Sequence, residues 1–335
     1  MSVKAYLTLD YELYMGRKVG SVDNCLIKPM FALTSMLDKY GIKCNVFVDA
    51  AYLLRCYQLK EDEPKIMNDF LKVTSHIYEL SKAGHSIQFH FHPQWLYSRY
   101  VGEDWDLDFD HYKISDMPTE DIIKYVPQAI ELLQQWSVNK ITAFRAGGYS
   151  FPNEGVFMDI LRKYGITIDS SVLKGAVVKS KYQTYDYSKV PHKSPYRFDK
   201  NLCSSNDNGD FTEYPISTIK MIGYRYWLLK RSMTKHYNTL QGGEKFGDGQ
   251  GIGIPGGRLS RINHKIKRLI TSSVISATID GILSLCLDKV YKANTQCDEA
   301  NVFVIIGHPK NLSEKSIDVF ERFICNHDEL NFCLF

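Results

Sequence analysis

The sequence predicts an α/β protein built on a parallel sheet, open or closed into a barrel. Three observations lead there. Short apolar runs alternate with amphipathic helical patterns, which is the βαβ rhythm. Glycines close several of the helical patterns, at Gly41, Gly84 and Gly165. Chemically able side chains gather where apolar runs end, the edge at which parallel α/β folds place their chemistry.

In chain order, residues 3–10 read as a strand, 27–40 as a helix and 42–50 as a second strand. Residues 64–83 read as a helix and 86–92 as a third strand. Residues 119–136 read as a helix with Thr119 as its cap and Glu120 and Asp121 in its first turn. A strand at 140–146, a helix at 153–164 and short strands at 167–170 and 211–216 follow. A long helical region is expected over 263–293, then a buried strand at 301–308 and a helix at 313–326. Residues 176–210 are polar and Tyr-rich, and 241–262 contain a Gly-rich run; both are expected as long insertions over one end of the domain.

The chain of 335 residues, 44% apolar and 24% charged, can bury a sizeable core. A formal net charge of +3 is too small to imply a nucleic-acid partner. The eight cysteines form no Cys-x-x-Cys pair and read as reduced thiols, so a cytoplasmic protein is expected. No signal peptide is expected at the start, and no apolar stretch reaches the roughly 18 residues of a membrane span.

The most informative stretch is 86–95, SIQFHFHPQW. Successive strand side chains alternate between faces, so Gln88, His90 and His92 share one and Ile87, Phe89 and Phe91 the other. The opening stretch 3–12, VKAYLTLDYE, likewise sets Tyr6, Thr8, Asp10 and Glu12 on one face. Two imidazoles and two tip carboxylates suit a metal-assisted hydrolase, which needs a carboxylate ligand and a separate base. The residues alone leave open which of Asp10 and Glu12 is which. Asp49, Arg145, Asp169 and His308 end other apolar runs. Taken singly, each of these residues is more often a cap, an ion-pair partner or a satisfied core group; their convergence is what favours chemistry.

These pieces, LTLDYE, GHSIQFHFHPQW, FRAGGYSF, IDSS and VIIGHPK, resemble in order and content the motifs of the polysaccharide deacetylase family, carbohydrate esterase family four. The Asp-x-Glu and His-x-His-Pro variants resemble a divergent branch linked to surface-polysaccharide synthesis. The resemblance implies a distorted (β/α) barrel of about seven parallel strands, one catalytic domain over residues 1–335. It implies one divalent metal, zinc foremost, with Co, Ni, Mn or Fe as alternatives. Asp10 would be the base, steadied by Arg145, and His308 the acid. Glu12, His90 and His92 would be ligands. Tyr149 would offer its backbone N–H to the oxyanion, and Trp95 is a candidate wall of a sugar subsite, with a core position the other option.

The expected function is removal of an N-acetyl group from a carbohydrate, a lipid- or nucleotide-linked precursor of a surface polysaccharide. Two alternatives stand beside it: a hydrolase of a non-sugar C–N bond on the same fold, and a metal-free glycan-binding scaffold. The Gly-x-Gly-x-x-Gly at 251–256 follows no strand and reads as a loop. The basic stretch 258–269 reads as a solvated helix face with weak membrane-surface contact as the alternative. The acidic, aromatic stretch 102–112 is placed over the strand tips.

Overall fold

Strand β1 (Val3–Tyr11) is buried along almost its whole length and lies one strand in from an end of the main sheet. The structure is a computed structural model and describes residues 2–152, 155–239, 242–252, 271–295 and 302–335. After β1 come α1 (Lys28–Asp38), β2 (Asn45–Asp49), α2 (Ala50–Leu59), α3 (Pro64–Lys82) and β3 (Ser86–Phe91). A short turn of helix, α4 (Gln94–Tyr97), leads into the hairpin of β4 (Arg99–Val101) and β5 (Asp104–Asp106). Then follow α5 (Thr119–Gln134), β6 (Ala143–Ala146), α6 (Val156–Tyr164) and β7 (Ile168–Asp169). A second hairpin, β8 (Val177–Lys179) with β9 (Thr184–Asp186), precedes β10 (Tyr196–Phe198) and β11 (Phe211–Glu213). The last elements are β12 (Thr218–Ile222), α7 (Gly223–Thr239), β13 (Ser272–Ser276), α8 (Leu287–Thr295), β14 (Val302–Gly307), α9 (Glu314–Cys325) and β15 (Leu330–Phe332).

The main sheet runs β10-β11-β7-β6-β3-β2-β1-β14, with β15 added along the first residues of β1. All its pairs are parallel except β10 with β11. It curls, and hydrogen bonds from Ile216 to Val172 and from Ser217 to Val304 join its two sides through short segments. The result is a curled, parallel-rich sheet compatible with a distorted barrel. β2, β3, β6 and β14 are buried on both faces, as parallel strands are; β14 is an almost continuous apolar run, while β3 alternates Ile87, Phe89 and Phe91 with Gln88 and His90. One core lies between sheet and helices, where Leu7, Leu9 and Tyr11 point. A smaller one fills the inside, where Tyr6, Val302, Val304 and Ile306 meet and Phe335 stacks on Tyr6 at 4.8 Å. Together they make a packed floor, so polar chemistry is confined to the C-terminal tips.

Two expectations need correcting. The region 263–293 is not one helix: its described part holds β13, a 3-10 segment at Gly281–Cys286 and α8. Ser273, Ile275, Ala277 and Ile279 alternate with their neighbours as a strand does, and β13 pairs with β12. Thr119 is the first residue of α5 rather than its cap; Pro118 precedes it and no side chain caps the helix. Helix α2 follows β2 without a break, because Asp49 accepts the Tyr52 N–H while Ala50–Leu54 are buried on all sides and show no helical period. The 176–210 insertion contains a hairpin and an edge strand. Gly165 does end α6, at φ 72°, a conformation glycine adopts without strain. Most of the Gly-x-Gly-x-x-Gly stretch and all of 258–269 lie outside the described residues.

Candidate active site

Parallel registry brings the strand tips side by side. Asp49 pairs with His90 and His90 with Arg145 across β2, β3 and β6, while Leu9 pairs with Gly307, one residue before His308. A cavity of about 690 Å³ opens over these tips. Asp10, Glu12, His90, His92, His308 and Tyr149 all line it.

Asp10 is buried, and its Oδ1 accepts a 2.6 Å bond from Arg145 Nη1. Arg145 is fully buried beneath the cavity. Its Nη2 donates to Thr8 Oγ1 and Ser170 Oγ, its Nε to the Ser170 carbonyl, and its guanidinium lies 4.4 Å from the Phe47 ring centre. That planar fork is held at four points, so it presents a fixed charge to Asp10. Burial pushes the Asp10 carboxyl upward, but Arg145, helped by His90 and His308, outweighs it and holds the group below its ordinary value.

Glu12 turns to the other side. Its Oε2 is 2.7 Å from His92 Nε2 and 3.2 Å from His90 Nε2, and its Oε1 accepts from Lys310 Nζ at 2.9 Å. Lys310 also donates to the Leu13 carbonyl. Burial raises the Glu12 carboxyl, yet Lys310 and the two histidines hold it well below the ordinary range. For His90, burial opposes the charged form, while Asp10 and Glu12 reverse that and raise its pKa to about 9.

The tautomer of His90 is fixed by its neighbours. Its Nδ1 is 2.7 Å from the Arg145 carbonyl, which can only accept, so Nδ1 carries a proton. A neutral His90 therefore aims the Nε2 lone pair at a carboxylate oxygen. Two acceptors at 3.2 Å require a positive species between them, either a proton or a metal ion. Ligand atoms of Glu12, His90 and His92 lie within 4.8 Å of one another, and this two-nitrogen, one-oxygen set fits a zinc-type ion. A second group, Asp10, Glu12 and His308, satisfies the same distance. His92 differs from His90: its Nδ1 has no hydrogen-bond partner among the described residues and rests against Gly147, where a Cβ would come within 2.8 Å.

His308 stands opposite, with Nε2 3.5 Å from Asp10 Oδ2. Its Nδ1 bonds to Asp280 Oδ2 at 2.6 Å and its backbone N–H to Asp280 Oδ1 at 2.7 Å. Burial lowers the imidazole, but Asp280, then Asp10 and Glu12, raise it above its ordinary value.

Of the six residues expected to bind metal or do chemistry, Arg145 lies buried beneath the cavity, and Asp10, Glu12, His90, His92 and His308 line it. Tyr149 is there too, with a positive φ of 59°, its carbonyl accepting from Tyr187 Oη. Trp95 is not. It is fully buried, and its indole N–H donates to Asp49 Oδ2 at 2.7 Å, so it braces the β3 exit instead of walling a sugar subsite. Asp49 also accepts the His92 N–H. The tyrosines that line the cavity are Tyr14, Tyr149, Tyr182 and, from the end of the acidic stretch, Tyr112. Near Arg145, Asp169 and Glu213 are two buried carboxyls that burial raises above their ordinary values.

Sequence reasoning missed Asp280 and Lys310. Asp280 was hidden by the helix expected there, though Ile275, Ala277 and Ile279 ending in Asp280-Gly281 repeat the pattern of the β1 exit. Lys310 had no signal, because lysine two residues past a strand is ordinarily solvated.

No family model and no curated protein matches the chain. Among solved structures it is similar to a protein described as a polysaccharide deacetylase from Mycobacterium smegmatis, with a TM-score of 0.47 and 14% identity over 98% of this chain and 87% of that one. It is similar to a family 4 carbohydrate esterase from Streptomyces lividans, at 0.40 and 9% over 99% and 92%. A GH57 branching enzyme from Thermococcus kodakaraensis scores 0.47 at 10% identity, over 100% of this chain and 70% of that one. Likenesses this weak carry no functional argument, so function is argued from the chain's own residues.

Proposed function

We propose that the chain is a metal-dependent carbohydrate deacetylase, a hydrolase that removes an N-acetyl group from a surface-polysaccharide precursor. In this reading residues 1–335 form one catalytic domain, with insertions at 176–210 and 241–262. The observation that carries it is the shared cavity: a His90–His92–Glu12 donor set beside an Arg145-held carboxylate and an Asp280-held imidazole. Such a set supplies the ligands, base and acid that acyl transfer to water needs.

Glu12, His90 and His92 would hold the divalent ion. Bound there, it would supply a Lewis acid and bring the pKa of water at neutral pH towards about 7. Asp10 acts as base through Oδ2, since Arg145 occupies Oδ1 and keeps the carboxylate ionised. Asp280 orients His308 so that Nε2 faces the cavity, where it passes a proton to the departing nitrogen. Tyr149, which lines the cavity, would offer its backbone N–H to the developing oxyanion. Tyr112 and Tyr182 supply ring faces for a sugar.

The test is elemental analysis of the purified protein coupled to an acetate-release screen on N-acetylated sugar precursors. Stoichiometric metal and metal-dependent acetate release are expected; a metal-free protein that releases no acyl group would overturn the reading. One observation favours a second reading, the metal-free glycan-binding scaffold: Lys310 already gives Glu12 a cation of its own. Glycan binding with neither metal nor acetate release would establish that reading.

A further inference from the structure

Helix α7 carries a face that the reaction does not use. Between residues 218 and 239 the chain has five cations, Lys220, Arg225, Lys230, Arg231 and Lys235, and no carboxylate. No carboxylate of a described residue pairs with any of the five. Met233 and Tyr237 are buried on the inward side of the helix. Tyr224, Trp227 and Leu228 face outward, 48%, 49% and 53% exposed, and Ile222 just before them is 51% exposed. Residues three and four apart lie on one helix face, so these side chains form a single patch. Other large exposed apolar residues are scattered along the sequence; here four fall within seven positions. The Arg231 guanidinium lies 5.7 Å from the Trp227 ring centre, and Arg225 Nε donates to Tyr224 Oη.

An aromatic and aliphatic corner ringed by cations has the chemistry of a bilayer interface. Trp and Tyr sit at headgroup level, aliphatic side chains reach the acyl boundary, and cations meet anionic headgroups. We propose that the α7 face docks this protein on an anionic lipid bilayer. No helix among the described residues is long and apolar enough to cross a membrane, so the attachment is peripheral.

Charge argues against the other occupants. A two-fold contact between copies would set five cations against the same five. The chain's own residues 253–270 bring Arg258, Arg261, Lys265, Lys267 and Arg268 and no carboxylate, so they offer this face no countercharge. A nucleic acid would satisfy the cations but leave Ile222 and Leu228 without an apolar partner. The location is also suited to the role. A cavity of about 620 Å³ lined by Lys220, Ile222, Arg225 and Lys289 borders the patch. A neighbouring cavity of about 600 Å³ shares Lys220 with it and Val178 with the catalytic cavity. Through these shared residues the α7 patch is connected along the surface with the catalytic cavity.

The test is flotation of the full chain with vesicles of phosphatidylcholine alone or with about 30 mol% phosphatidylglycerol. Binding is expected only to the anionic vesicles, weakening as salt is added. Trp227 is the most exposed of the four tryptophans, so tryptophan emission should shift to the blue on binding. Trp227→Glu with Leu228→Glu, and separately Lys230→Glu with Arg231→Glu, should each lower partition about tenfold or more. Melting temperature and turnover of a soluble substrate should not change. The proposal is overturned if the folded parent binds no vesicles, if neutral vesicles bind equally, or if either variant partitions like the parent. Light scattering that shows a dimer dispersed by these variants would overturn it as well, as would tight binding of single-stranded RNA with no binding of vesicles.

Discussion

Asp280 grips His308 with both oxygens, one on the backbone N–H at 2.7 Å and one on Nδ1 at 2.6 Å. The carboxylate sets ring orientation and tautomer together and leaves Nε2 as the working atom. Asp280→Asn should slow amide cleavage about 100-fold while metal content stays at the parent level. His308→Ala should slow an amide substrate more than an activated ester, whose leaving group needs less protonation. Equal slowing of both substrates would remove the acid role from His308.

The two tip carboxylates divide between Arg145 and the histidines, which separates their roles. Asp10→Asn should retain metal and lose turnover, whereas Glu12→Gln and His92→Ala should lose metal while the chain stays folded. Elemental analysis and steady-state rates on the same preparations check this. Metal lost from the Asp10 variant and kept by the Glu12 variant would exchange the assignments.

Gly147 is the floor beneath His92. A Cβ there would come within 2.6 Å of the Phe91 carbonyl and 2.8 Å of His92 Nδ1, contacts that real side chains do not make. Gly147→Ala should tilt the imidazole and weaken metal affinity about tenfold or more, read by calorimetric titration. An unchanged affinity would show that His92 is not held by this contact.

Arg145 is a buried cation with a buried partner. Removing one member of such a pair leaves the other charge without compensation, at a cost of about 3–5 kcal/mol. Arg145→Met should therefore lower the urea midpoint by that measure and raise the Asp10 pKa. A midpoint equal to the parent's would mean that Asp10 finds another partner.

Acid should unfold the protein partly through His85. It is buried, its Nδ1 accepts the Cys44 N–H at 3.2 Å, and burial lowers its pKa to about 4. The unfolded imidazole titrates near 6.5, so between these values the unfolded state binds the extra proton. Stability is complete above about pH 6.5 and falls as pH drops towards about 4, by about 2–3 kcal/mol from this group. Denaturation midpoints across that range should show the loss, and His85→Asn should flatten it. An identical slope in the variant would assign the acid sensitivity elsewhere.

Several elements were legible before any coordinates. The αL glycine after α6, the helix α9, the alternation of β1 and β3 and the apolar run of β14 are local events with local signals. So were the six side chains proposed for metal and catalysis, because parallel topology makes every strand end at one edge. Where local signals failed, the cause was physical. Helix α2 is buried all round and loses its period, α7 buries only Gly223, Met233 and Tyr237, and β13 exists through its pairing with β12.

The sequence by itself determined which residue types reach the strand tips, since alternation along a strand and the direction of a parallel sheet need no long-range information. The family resemblance implied Asp10 beside Arg145 and Glu12 with the histidines; only the tertiary structure added Lys310 to Glu12 and Asp280 to His308. It also removed Trp95 from the cavity. Those choices depend on distances between segments up to about 300 residues apart in the chain, set by how the sheet curls and packs, and no local pattern encodes them.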